Sequence, residues 1–131
     1  MSTRATASFE ITAWEQTNYD EPAEGPKFSR ATVRKTFRGD IEGESTAELL
    51  LCQVNDESAG YVAMERIVGR IGERVGSFVI QHCATRGGAR PQALWLVLPG
   101  SGAGELRELR GEAEYRHDEH GATFVLDYDF E

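Results

Sequence analysis

Apolar and polar residues alternate in short runs along most of the chain, and clusters of glycine, asparagine and aspartate break the runs. Ala7, Phe9, Ile11 and Ala13 alternate with Ser8, Glu10, Thr12 and Trp14, a period of two that predicts a strand with one apolar face. From Thr17 to Lys27 the pattern lapses into Asn, Asp, Pro and Gly, which predicts a loop. Alternation resumes over Phe28–Arg38, with Ala31, Val33 and Phe37 on one side and Arg30, Thr32, Arg34, Thr36 and Arg38 on the other. The arginine-rich side must face water or a partner. Gly39-Asp40 turns the chain, and Ile41–Val54 follows. Within it Ala47–Cys52 could be helical by propensity alone, but Gly43 and Thr46 precede it without a cap, so a strand is expected.

Asn55–Ser58 reads as a turn, and Tyr61–Ile71 with Gly76–Thr85 as a β-hairpin. Arg86–Pro91 reads as a loop. Ala93–Leu98 is apolar at every position and predicts a strand buried on both faces. Pro99–Gly104 stops it, Glu105–Leu109 suits one helical turn, and Gly111–His117 with Ala122–Glu131 predicts a last hairpin. On that hairpin Phe124, Leu126, Tyr128 and Phe130 share a face. The total is about eight strands, enough to close into a barrel that is either filled by side chains or holds one small ligand. Glycines within strands, at Gly43, Gly69 and Gly111, suit bends at barrel corners. An open two-sheet sandwich is the alternative.

With 131 residues the expectation is one domain, 1–131. The composition, 40% hydrophobic and 27% charged, is that of a globular protein. Lys and Arg number 14 against 22 Asp and Glu, a net charge of −8, which disfavours nucleic acid and anionic membrane surfaces as partners. No segment approaches the ~20 apolar residues of a membrane helix, and Met1–Thr6 lacks a signal-peptide core. A cytoplasmic protein is expected. Cys52 and Cys83 then stay reduced. Neither forms a CxxC pair, so they read as packing residues, and no cofactor is called for.

Three segments carry a resemblance: Gly39-Asp40-Ile41-Glu42-Gly43-Glu44-Ser45, Gly60-Tyr61-Val62-Ala63-Met64-Glu65-Arg66 and Gly76-Ser77-Phe78-Val79-Ile80-Gln81-His82. Pro99–Leu106, Leu109-Arg110-Gly111 and Leu126-Asp127-Tyr128 complete it. In this order the chain resembles a bacterial family of unknown function whose members look like the allene oxide cyclase barrel. The resemblance implies an all-β fold, an eight-stranded antiparallel, calycin-like barrel, with frequent self-association. It implies no reaction, and fold alone transfers none.

Glu65 is the ionisable residue that stands out. It shares a strand face with Tyr61, Ala63, Ile67 and Gly69, opposite Arg66 and Arg70, so it is expected to point inward. A two-residue turn at Gly72-Glu73 sets Phe78, Ile80 and His82 on that face; a three-residue turn sets Val79, Gln81 and Cys83 there instead. The first is preferred, because it joins Ile67 to Phe78 and Ile80. Glu65 and His82 are then the candidate acid-base or orienting pair, with burial expected to raise the carboxyl pKa. The alternative is a structural hydrogen-bonded pair. Trp14, Tyr61, Phe78 and Gln81 are the candidate ligand contacts.

His117-Asp118-Glu119-His120 has metal-ligand residue types but falls at a hairpin tip beside Gly121, where solvated charge is ordinary, so no metal site is assigned. Gly100–Gly104 lacks the dinucleotide spacing, and no G-x-S-x-G occurs. Two functions compete. One is a barrel that binds a small hydrophobic ligand, as a carrier or as an isomerase or cyclase acting by shaping its substrate. The other is a non-catalytic oligomeric module with a filled barrel. Val62, Met64 and Val68 add a second apolar face, which points to a homodimer or higher homo-oligomer.

Overall fold

A computed structural model describes residues 2–88, 92–119 and 121–130. Nine strands occur among them: β1 (Thr3–Asp20), β2 (Lys27–Gly39), β3 (Ile41–Gln53), β4 (Ala59–Ile71), β5 (Arg74–Arg86), β6 (Ala93–Val97), β7 (Ala103–Gly104), β8 (Leu109–Asp118) and β9 (Gly121–Phe130). Their order is β4-β3-β2-β1-β9-β8-β6-β5, and β4 pairs with β5 to close an eight-stranded antiparallel barrel. The two-residue β7 lies against Gly76 and Ser77 of β5 outside that ring. No described helix is long and apolar enough to cross a membrane.

Sequence period and register agree in β2 and β3, whereas in β1 a bulge after Ile11 puts Trp14 rather than Ala13 on the inward face. In β2 and β3 inward residues are buried and their neighbours face out, as a half-buried strand requires. Gly43 faces Gly69 across β3 and β4. A Cβ at Gly69 would sit 2.0 Å from the Glu42 carbonyl oxygen, so this corner closes only with glycine. The β4–β5 hairpin turns through Gly72, whose φ of 59° is left-handed. Its register joins Ile67 to Phe78 and Glu65 to Ile80, the two-residue-turn alternative.

Three expectations need correction. Thr17–Asp20 is strand, not loop: β1 continues to Asp20 because Thr17 and Asn18 pair with Arg30 and Ser29, and this pairing overrides local loop chemistry. β6 is not buried on both faces, since Trp95 and Val97 turn inward while Leu94 is 49% exposed. Glu105–Glu108 makes turns with bonds such as Leu106 N–H to the Ala103 carbonyl, without a helix, and it delivers Leu106 and Leu109 to the barrel's end. Part of the Arg86–Pro91 loop, together with His120 and Glu131, lies outside the described residues.

The interior divides into two halves. One end is filled by Phe37, Ile41, Ile67, Phe78, Ile80 and Leu126 with their neighbours. Each fully buried large side chain there contributes roughly 1.5–3 kcal/mol. Toward the other end the inward positions shrink to Ala31, Val33, Ala47, Leu49 and Ala63, and the barrel is left open.

Candidate functional site

The boundary between the two halves is polar. Lys35, Ser45, Glu65 and His82 are all buried there, one from each of β2, β3, β4 and β5. Lys35 pairs directly with Ser45. Glu65 faces Ala47 on β3, and His82 faces Ala63 on β4. Glu65 and His82 therefore each have an alanine opposite them on the preceding strand, Lys35 has the small Ser45, and the long side chains reach diagonally across the layer, a distance within their range.

Glu65 is the hub. Its Oε1 accepts from Lys35 Nζ at 3.0 Å and contacts His82 Nε2 at 3.0 Å. Its Oε2 accepts from the Ser45 hydroxyl at 2.6 Å. Burial pushes its pKa up, but the His82 hydrogen bond, the Lys35 charge and the Ser45 and Lys35 hydrogen bonds outweigh burial and bring it to about 2. The rise expected from burial is overturned for that reason: Glu65 is an ionised anchor, not a proton-carrying acid.

His82 Nδ1 lies 2.8 Å from the Tyr61 hydroxyl. Burial, then the Glu65 charge, push the Tyr61 pKa well above the usual phenol range. The Glu65 carboxylate can only accept, so Nε2 carries the hydrogen of the His82–Glu65 bond, and in that neutral tautomer Nδ1 accepts from the Tyr61 hydroxyl. Trp95 stacks flat on His82, with centroids 3.8 Å apart and planes at 7°. The ring faces of Phe9 and Trp95 lie 4.9 and 5.4 Å from Lys35 Nζ. No buried side-chain polar atom among the described residues lacks a hydrogen bond.

Above this layer lies a cavity of about 600 Å³. Ala47, Ala84, Ala93 and Ala113 make room for it, Tyr61, Trp95 and Tyr115 provide aromatic walls, and Lys35 and His82 reach it. Trp14 lies at its rim, 48% exposed. A β-bulge at Thr12 brings it there: Ile11 pairs with Lys35 and Ala13 with Arg34, so the extra residue reverses which side chains face inward.

Of the residues singled out from sequence, His82, Tyr61 and Trp14 line this cavity, and Glu65 lies buried beneath it, bonded to His82. Phe78 does not line it; it is buried in the filled end, two residues along β5 from Ile80. Gln81 does not line it either. It pairs with Met64 and lies exposed on the outer surface near Leu50, Val62 and Met64, because neighbours of His82 on a strand point the opposite way. Lys35, Ser45 and Trp95 are additions. A signal for Lys35 was present, since it occupies an inward place in the series Ala31, Val33, Lys35, Phe37. His117 is exposed, and no group of three metal-ligating side chains converges among the described residues.

Fold and site define a small closed β-barrel that is half core and half cavity, with a buried charged layer between. Over residues 5–131 the chain matches the family described as "Protein of unknown function (DUF3224)", and it belongs to that family. It is similar to a crystal structure from Shewanella oneidensis MR-1, described as a protein with unknown function from the same family, at 31% identity. That match covers 100% of this chain and 99% of the other, with a TM-score of 0.86. No curated protein matches.

Proposed function

We propose that the barrel binds a small hydrophobic molecule in its open half, with the Lys35–Glu65–His82–Tyr61 layer as the polar floor that orients it. The carrying observation is the partition of the interior. A filled module needs large side chains throughout, whereas here alanines replace them on one side of a buried ionic layer. Apolar walls with few polar groups at one end are what small-molecule sites use. The likeness to the allene oxide cyclase barrel rests on strand number and closure, so it supports architecture and lends no chemistry.

The test uses the protein's own fluorescence. The chain has 2 tryptophans, Trp14 and Trp95, and both line the cavity. Titration with a panel of aromatic ketones, hydrophobic carboxylates and polyketide-like compounds is expected to change tryptophan emission saturably and to raise Tm. No saturable response across the panel overturns the reading.

An oligomeric role is a second, compatible reading. Val62, Met64 and Val68 are each about half exposed on the outer face, and Leu50, Val62, Cys83 and Leu94 align in one row across β3, β4, β5 and β6. A homodimer that covers this row accounts for it.

A further inference from the structure

Resting on that cavity reading, we propose that the site catalyses proton shifts in flat hydrophobic ketones, with Tyr61 and Lys35 as catalytic residues and His82 and Glu65 as a positioning relay. The substrate class is a carbonyl compound with an acidic C–H beside the carbonyl.

The geometry separates donor and acceptor functions. Lys35 carries three N–H donors and spends one of them on Glu65, while its other contacts are the faces of Phe9 and Trp95. Its remaining donors are available to an oxygen in the cavity, and its charge is already balanced by Glu65, so a neutral carbonyl enters without adding unpaired charge. Tyr61 donates its own hydrogen to His82, which leaves the phenol oxygen's lone pairs to accept from a ligand. A carbonyl carbon skeleton with a hydrogen to give fits both.

In the forward step the C–H bond beside the carbonyl breaks. Its proton passes to the Tyr61 oxygen while the Tyr61 proton passes to His82 Nδ1, so Tyr61 never becomes a phenolate. The C–H electron pair becomes a C=C bond, and the carbonyl π pair moves onto oxygen, held by Lys35. His82 becomes an imidazolium, hydrogen-bonded to the Glu65 carboxylate and stacked on the face of Trp95. Reversal returns a proton to the same carbon, or to a conjugated one, which shifts a double bond. No co-reactant is consumed.

The experiment follows deuterium uptake beside the carbonyl of 2-tetralone and 2-indanone in D2O by NMR, with binding read in parallel by tryptophan emission. The expected result is uptake well above the buffer rate for the full-length protein. Tyr61→Phe is expected to retain binding and lose on the order of a hundredfold or more in exchange, the usual scale for a lost acid-base group. Ala113→Phe, at a cavity-lining position that is not one of the relay residues, should abolish both. Binding without exchange overturns the catalytic proposal and leaves the cavity reading standing. Neither binding nor exchange overturns both. Exchange that survives Tyr61→Phe overturns the relay, and exchange that survives Ala113→Phe overturns its location.

Discussion

Lys35 and Glu65 sit on strands separated by β3 and meet inside the barrel at 3.0 Å, both buried. An ion pair in such a place is coupled to the fold through desolvation. Its attraction repays the removal of two charges from water, but either charge left alone has no compensation. Glu65→Gln is therefore expected to destabilise the protein by about 3–5 kcal/mol, as is Lys35→Met. The double variant should lose much less than the two added together. Urea unfolding of the four proteins gives the coupling directly, and additive losses would show that the pair is not energetically linked.

The same residue makes the protein acid-labile. The folded pKa of Glu65 is depressed to about 2 from 4.5, so the unfolded state takes up a proton first as pH falls. Its stabilising contribution is complete above the unfolded value and is lost as pH drops from about 4.5 toward 2, a change of roughly 3 kcal/mol. Thermal unfolding between pH 6 and pH 2.5 should show a steep fall for the native chain and a shallower one for Glu65→Gln. Parallel curves for the two proteins would contradict this.

Ala113 lines the cavity and packs against the edge of the filled half. Ala113→Phe adds apolar volume where there is empty space, so its effect on stability should stay within about 1 kcal/mol, unlike overpacking of a dense core. Ligand-induced changes in tryptophan emission should disappear. Retained binding at native affinity would place the ligand elsewhere.

On the outer surface, Val62 is 56% exposed at the centre of the apolar row. With that row as a dimer interface, Val62→Lys puts a charge into it and should give a monomer mass by light scattering and a Tm that does not change on dilution, whereas the native chain gives a dimer whose Tm falls on dilution. A monomer mass for the native chain at micromolar concentration would remove the interface reading.

The strands, and the facing of side chains along β2, β3, β4 and β5, were legible in the chain, because alternation along a strand is a local property. The sequence placed Glu65, and through the two-residue turn at Gly72-Glu73 it placed His82 on the same face, since a hairpin turn fixes register between neighbours. Closure into eight staves, the split into filled and open halves and the meeting of four charged or polar groups were decided only in three dimensions. Lys35 and Ser45 lie 30 and 20 residues from Glu65, and their contact depends on the stagger of strands around the ring, which no local pattern encodes. Trp14 turned inward through an unpaired Thr12, and Glu65 stayed ionised because three partners offset its burial. Periodicity says which way a side chain points; which groups it meets, and hence its charge, follows from how distant strands are aligned.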